Sequence, residues 1–137
     1  MTSNDLFDLA SRKGHNVIYF DLPESKSLSI DDGACYIGLD ISLARIEEKE
    51  CLAHEMGHCE YGGFYNRYSP FDIREKAERR ANKWSFLHLV PIGEIKTAIQ
   101  RGFCNPWELA EYFDVSDKFM VGALAFYKEA CGVNFSC

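Results

Sequence analysis

Apolar and polar positions change period three times along the first half of the chain. Leu6, Leu9 and Ala10 recur at helical spacing within SNDLFDLASRK (3–13), which ends in basic residues before Gly14 and predicts a short helix lying across a sheet. The runs Val17 to Phe20 (VIYF) and Ala34 to Leu39 (ACYIGL) then read as strands. They flank a polar stretch in which Asp31-Asp32-Gly33 signals a tight turn and Leu28 to Ile30 offer a further strand. A small, twisted sheet of two to four strands is expected. The pattern returns to helix at 47–59, EEKECLAHEMGHC. This segment contains neither proline nor a β-branched residue, carries an apolar stripe of Leu52, Met56 and Cys59, and runs out near Gly62-Gly63.

The second half is helical throughout. Ser69-Pro70-Phe71-Asp72 reads as serine at N-cap, proline at N1 and an acid at N3. In the helix that follows, Glu75, Glu78, Ala81, Asn82 and Ser85 share a broad face, while Trp84, Phe86 and Leu87 supply apolar packing. Pro91 ends that helix and opens another over Ile92 to Arg101, closed by Gly102. Asn105-Pro106 and Val115-Ser116 start two more, with Val115 and Met120 spaced as a hydrophobic staple. The predicted architecture is α+β: a small twisted β-sheet packed with a helix pair, and additional C-terminal helices.

Length and composition narrow the class. The 137 residues suit one domain spanning 1–137, with its helical C-terminal part at about 92–130, and 47% apolar residues indicate an ordered core. The two short helices after Asn105 have helix-turn-helix spacing. However, the net charge is −6, and the second of them offers only Lys118 and Lys128 as bases, so direct nucleic-acid binding is disfavoured. The six cysteines form no CxxC pair and read as thiols of a cytoplasmic protein, Cys51 among them as a core thiol. No signal stretch or membrane-length apolar run is present in the sequence. Oligomeric state is left open, and a monomer is compatible with the sequence.

The chemistry concentrates at His54-Glu55-Met56-Gly57-His58. On a helix, positions i and i+4 share one face about 6 Å apart, so both imidazoles reach a single ion, while the intervening glutamate is placed to act as a general base. Zn2+ is the expected ion for such a set. Glu78, twenty residues beyond His58 on the returning helix, is the natural third ligand, with Glu75 as its competitor near the helix start. Asn82, one turn on, is placed to hydrogen-bond the second nitrogen of a ligating histidine. Tyr61 and Tyr65, in the aromatic segment after the helix, are candidate donors to an oxyanion, against the plainer reading that they pack at the helix end. His15 and His88 read as structural or surface residues.

The segments EKECLAHEMGH, KAERRANKW, LVP and NPWELAEYFDVSDKFMVGAL, in this order, resemble the ImmA/IrrE-like zinc metallopeptidases of bacterial mobile elements and prophages, over roughly residues 15 to 130. The resemblance implies His54, His58 and Glu78 as zinc ligands and Glu55 as the base. It also implies a fold with a small sheet, a zincin helix pair and further helices. The implied function is limited proteolysis of a helix-turn-helix repressor that silences mobile-element or stress-response genes. A rival reading keeps the scaffold and discards the chemistry: a non-enzymatic regulator that inactivates a protein partner by binding it.

Overall fold

The computed structural model describes residues 1–62, 64–66 and 68–135. It divides into two compact units, one from Met1 to Ser85 and one from Phe86 onward. The first unit opens with α1 (Ser3–Arg12), whose start is fixed by a capping box in which Thr2 Oγ1 accepts from the Asp5 amide and the Asp5 carboxylate accepts from the Thr2 amide. Leu6 and Ala10 are fully buried, and α1 packs against the second helix and the first strand.

Three strands follow: β1 (Asn16–Phe20), β2 (Ser27–Asp31) and β3 (Cys35–Asp40). Their order is β1-β3-β2, with β3 parallel to β1 and antiparallel to β2. The stretch around Leu28 is thus a full edge strand, paired to β3 through a hairpin at Asp32-Gly33. Gly33, at φ +78°, takes the left-handed conformation that this turn requires. Asp40 ends β3 and holds the chain around it, accepting from the amide of Leu22 at 2.7 Å and from the hydroxyl of Ser42.

Helix α2 (Arg45–Tyr61) lies on β2 and β3 and buries Leu52 and Met56 completely, as its apolar stripe predicts. Gly62, left-handed at φ +64°, closes it. Helix α3 (Phe71–Leu89) begins one residue later than the cap pattern predicts: the first helical bond runs from Arg74 N–H to Pro70 O, and Ser69 Oγ accepts from the Asn66 amide. Gly57 and Ala81 bring α2 and α3 into backbone contact. A β-carbon on Gly57 would stand 2.6 Å from the Ala81 carbonyl oxygen.

The cysteine reading needs correction. Cys104 is disulfide-bonded rather than a thiol, and Cys35 and Cys59 are not separate thiols but a disulfide, joining the first residue of β3 to the last turn of α2 with Cα atoms 5.8 Å apart. They are 24 residues apart in sequence. No CxxC spacing announces the pair, because the packing of α2 on the sheet is what brings them together. Cys51 is a free, half-buried thiol.

In the second unit, α4 (Ile92–Gln100), α5 (Pro106–Phe113) and α6 (Asp117–Cys131) follow the predicted starts, with Pro106 at N1 of α5 and Ser116 Oγ capping α6 by accepting from the Phe119 amide. Phe86 packs against Phe119 and Phe126. The buried Tyr127 hydroxyl donates to the Val90 carbonyl at 2.9 Å and lies 3.2 Å from the Phe86 carbonyl, which also accepts from the Val90 amide. No helix among the described residues is long and apolar enough to cross a membrane.

Candidate metal centre

The i, i+4 spacing on α2 and the antiparallel return of α3 bring three side chains to one point. His54 Nε2 is 2.7 Å from Glu78 Oε2, His58 Nε2 is 3.1 Å from Glu78 Oε1, and the two Nε2 atoms are 3.2 Å apart. Donors bound tetrahedrally to zinc at its usual bond lengths stand about 3.3 Å from one another, so small side-chain shifts would bring the three into a ligand set. The tautomer agrees. Asn82 Oδ1 lies 2.9 Å from His54 Nδ1 and accepts its proton, which leaves the lone pair of the neutral ring on Nε2, facing the others. A lone pair 2.7 Å from a carboxylate oxygen is repulsive unless a proton or a cation lies between them.

Without an ion, a second ring proton fills that place and His54 pairs with Glu78 as an imidazolium. Burial alone would lower the His54 pKa, but the hydrogen bond and charge of Glu78 outweigh it and raise it. Burial alone would raise that of Glu78, but hydrogen bonds from His54, His58 and Tyr65 hold it well below the carboxylate range. Tyr65 Oη donates to Glu78 Oε1 at 2.5 Å; this bond, reinforced by partial burial, pushes the phenol pKa up to about 12.

Glu55 points into the cleft beside this triad and is 6% exposed. Both of its oxygens are engaged: Oε2 accepts from Ser27 Oγ at 2.7 Å and Oε1 from Ser29 Oγ at 2.8 Å. Alternate residues of a strand share a face, so β2 delivers the two hydroxyls together. Sequence reasoning missed these serines. Their only signal is the alternation Ser27-Leu28-Ser29, which means nothing until β2 is known to lie along α2. The cleft encloses about 230 Å³ and is lined by these serines, Glu55, His58, Tyr65 and Glu78, among others.

Residues 10–124 match the IrrE N-terminal-like domain of peptidase family M78. The chain belongs to that family. No curated protein matches it closely. In this IrrE-like chain the HExxH helix and the carboxylate of α3 are the metal centre of a zinc-dependent peptidase on an α+β, zincin-like fold.

The remaining candidates fall outside the centre. Glu75 is exposed on the first turns of α3 and is not part of the cluster. Tyr61 is 41% exposed at the end of α2 and does not line the cleft, whereas Tyr65 does. His88 lies near the end of α3, outside the cluster. His15 is largely buried, with Nε2 3.1 Å from Glu60 Oε1.

Proposed function

We propose that this chain is an endopeptidase that cuts a helix-turn-helix transcriptional repressor and so relieves repression in a mobile element or prophage. In this reading residues 1–137 act as one metallopeptidase domain in the cytoplasm. The observation that carries the reading is the convergence of His54, His58 and Glu78 beside a buried, serine-held Glu55. The repressor is the substrate class to which the ImmA/IrrE resemblance points.

His54, His58 and Glu78 would hold zinc. Bound there, zinc supplies a Lewis acid that polarises the scissile carbonyl and acidifies water. Glu55 accepts a proton from the attacking water. Each carboxylate oxygen has two lone pairs, and Ser27 and Ser29 take one apiece, so a site for the proton remains. Glu55 then passes the proton to the departing amine, which leaves as a neutral group. Tyr65, rather than Tyr61, is the side chain placed to donate to the developing oxyanion, by releasing its hydrogen bond to Glu78.

The test compares zinc-loaded wild type with Glu55→Gln, each incubated with a lysate of cells that carry the gene, and reads new protein N-termini by mass spectrometry. New termini within a helix-turn-helix regulator, made by wild type and absent with the variant, are expected. Stoichiometric zinc in both proteins with no cleavage by either would instead favour a regulator that acts by binding alone.

A further inference from the structure

A second cluster of metal-ligating side chains lies on the other side of the α2 terminus. One ring nitrogen of His15 and the sulfurs of Cys35 and Cys59 lie within 4.8 Å of one another. They border a cavity of about 400 Å³, lined also by Lys13, Gly62 and Phe64. The two sulfurs are joined, so as it stands the cluster offers an ion no thiolate.

We propose that His15, Cys35 and Cys59 form a second cation site, closed while the disulfide is intact and opened by its reduction. A dithiol reductant supplies the electrons. One of its thiolates attacks a sulfur of the Cys35–Cys59 bond and displaces the other as a thiolate. The second reductant thiol then closes a disulfide on the first and frees the attacked cysteine. Two electrons and two protons pass to the pair, leaving two thiols and one oxidised dithiol. A thiophilic divalent cation of the zinc class then displaces both thiol protons to solvent and takes two thiolates and one imidazole nitrogen. An oxidised dithiol reverses the sequence, reforming the disulfide and releasing the ion.

Three observations carry the site beyond proximity. Donors around tetrahedral zinc stand about 3.6–3.8 Å apart where sulfur is involved, so separation of the freed sulfurs within the cluster's present 4.8 Å span suffices. Glu60 Oε1, 3.1 Å from His15 Nε2, orients the ring beside the pair, as the carboxylate partners of metal-binding histidines generally do. Lys13 Nζ, 3.1 Å from the same oxygen, and Asp31, which also lines the cavity, bring the loaded site to a net charge of −1 with a divalent ion, two thiolates and Glu60, so that a cation is favoured there. Cys59 adjoins His58, and Phe64 borders both this cavity and the peptidase cleft.

Cobalt titration of the full chain tests the site without any peptide substrate. Thiolate ligation gives Co2+ an intense near-ultraviolet charge-transfer band that imidazole and carboxylate ligands do not give. Oxidised protein should take one Co2+ without this band. Protein reduced anaerobically with a phosphine should take a second equivalent, with the band. Cys35→Ser should lose the band, and His15→Ala should weaken the second equivalent about tenfold or more. Cys51→Ser and Cys131→Ser, which alter the free thiols, and Cys104→Ser, which removes the other cysteine that reduction frees, should keep it. Equal uptake by oxidised and reduced wild type, a comparison that needs no substitution, or a band that survives in Cys35→Ser, overturns the proposal. A missing first equivalent would count against the peptidase centre alone.

Discussion

Gly57 and Ala81 touch backbone to backbone: a single methyl on Gly57 would lie 2.7 Å from the Ala81 α-carbon and 2.6 Å from its carbonyl oxygen. This contact sets the spacing of α2 and α3, and the spacing sets the reach of Glu78 to His58, next to Gly57, and to His54, about one turn before it. Gly57→Ala would raise helix propensity locally but force the helices apart. It should cost about 1–3 kcal/mol of stability, as overpacking of a tight contact generally does. Zinc affinity should fall with it. Urea unfolding and zinc competition with a chromogenic chelator, run on the same preparation, check both; an alanine variant with unchanged zinc affinity would show that the contact does not position Glu78.

The choice between the two acids of α3 is directly measurable. Protein purified without added metal or chelator should carry about one zinc per chain, falling to a small fraction in Glu78→Ala and staying near wild type in Glu75→Ala. Metal analysis by inductively coupled plasma mass spectrometry is the readout. Chelation of wild type should remove the ion and abolish cleavage together, with zinc restoring both.

Ser27 and Ser29 fix the Glu55 carboxylate from the edge strand. Alanine at both positions should leave the zinc content unchanged and slow cleavage of the repressor by about ten- to a hundredfold, the cost typical of a catalytic group displaced by about 1 Å. The loss should fall on kcat rather than KM, and threonine at both positions should recover much of it. In a Glu55→Gln background the serine substitutions should add little, since the group they position is already disabled.

Acid should weaken the fold through Asp40. The Ser42 hydroxyl, followed by the Leu22 amide, holds its carboxyl below the usual 3.8. A folded pKa below the unfolded one means that the stabilisation is complete above about pH 3.8 and is lost as pH falls through the lowered value. Asp40→Asn should therefore be less stable than wild type at pH 7, and the gap should narrow as pH falls below 3.8. Urea midpoints of the chelated protein, measured at several pH values, separate this effect from zinc release.

The sequence by itself determined the elements and the chemistry. Apolar periods placed α1, the strands and α2, the proline and serine caps placed α5 and α6, and HExxH with an acid on the next helix named the ligand set. These signals are local: a helix's period, a cap and an i, i+4 pair are properties of consecutive residues. What required the tertiary structure was every relationship across elements. Glu78 prevails over Glu75 because Gly57 lets α3 approach α2 at one register. Tyr65 rather than Tyr61 reaches the triad because the chain turns at Gly62. Ser27 and Ser29 gain a partner only when β2 lies along α2, and Cys35 meets Cys59 only when the start of β3 lies under the last turn of the same helix. Packing decides these contacts between residues distant in the chain, and no local pattern encodes the distance between them.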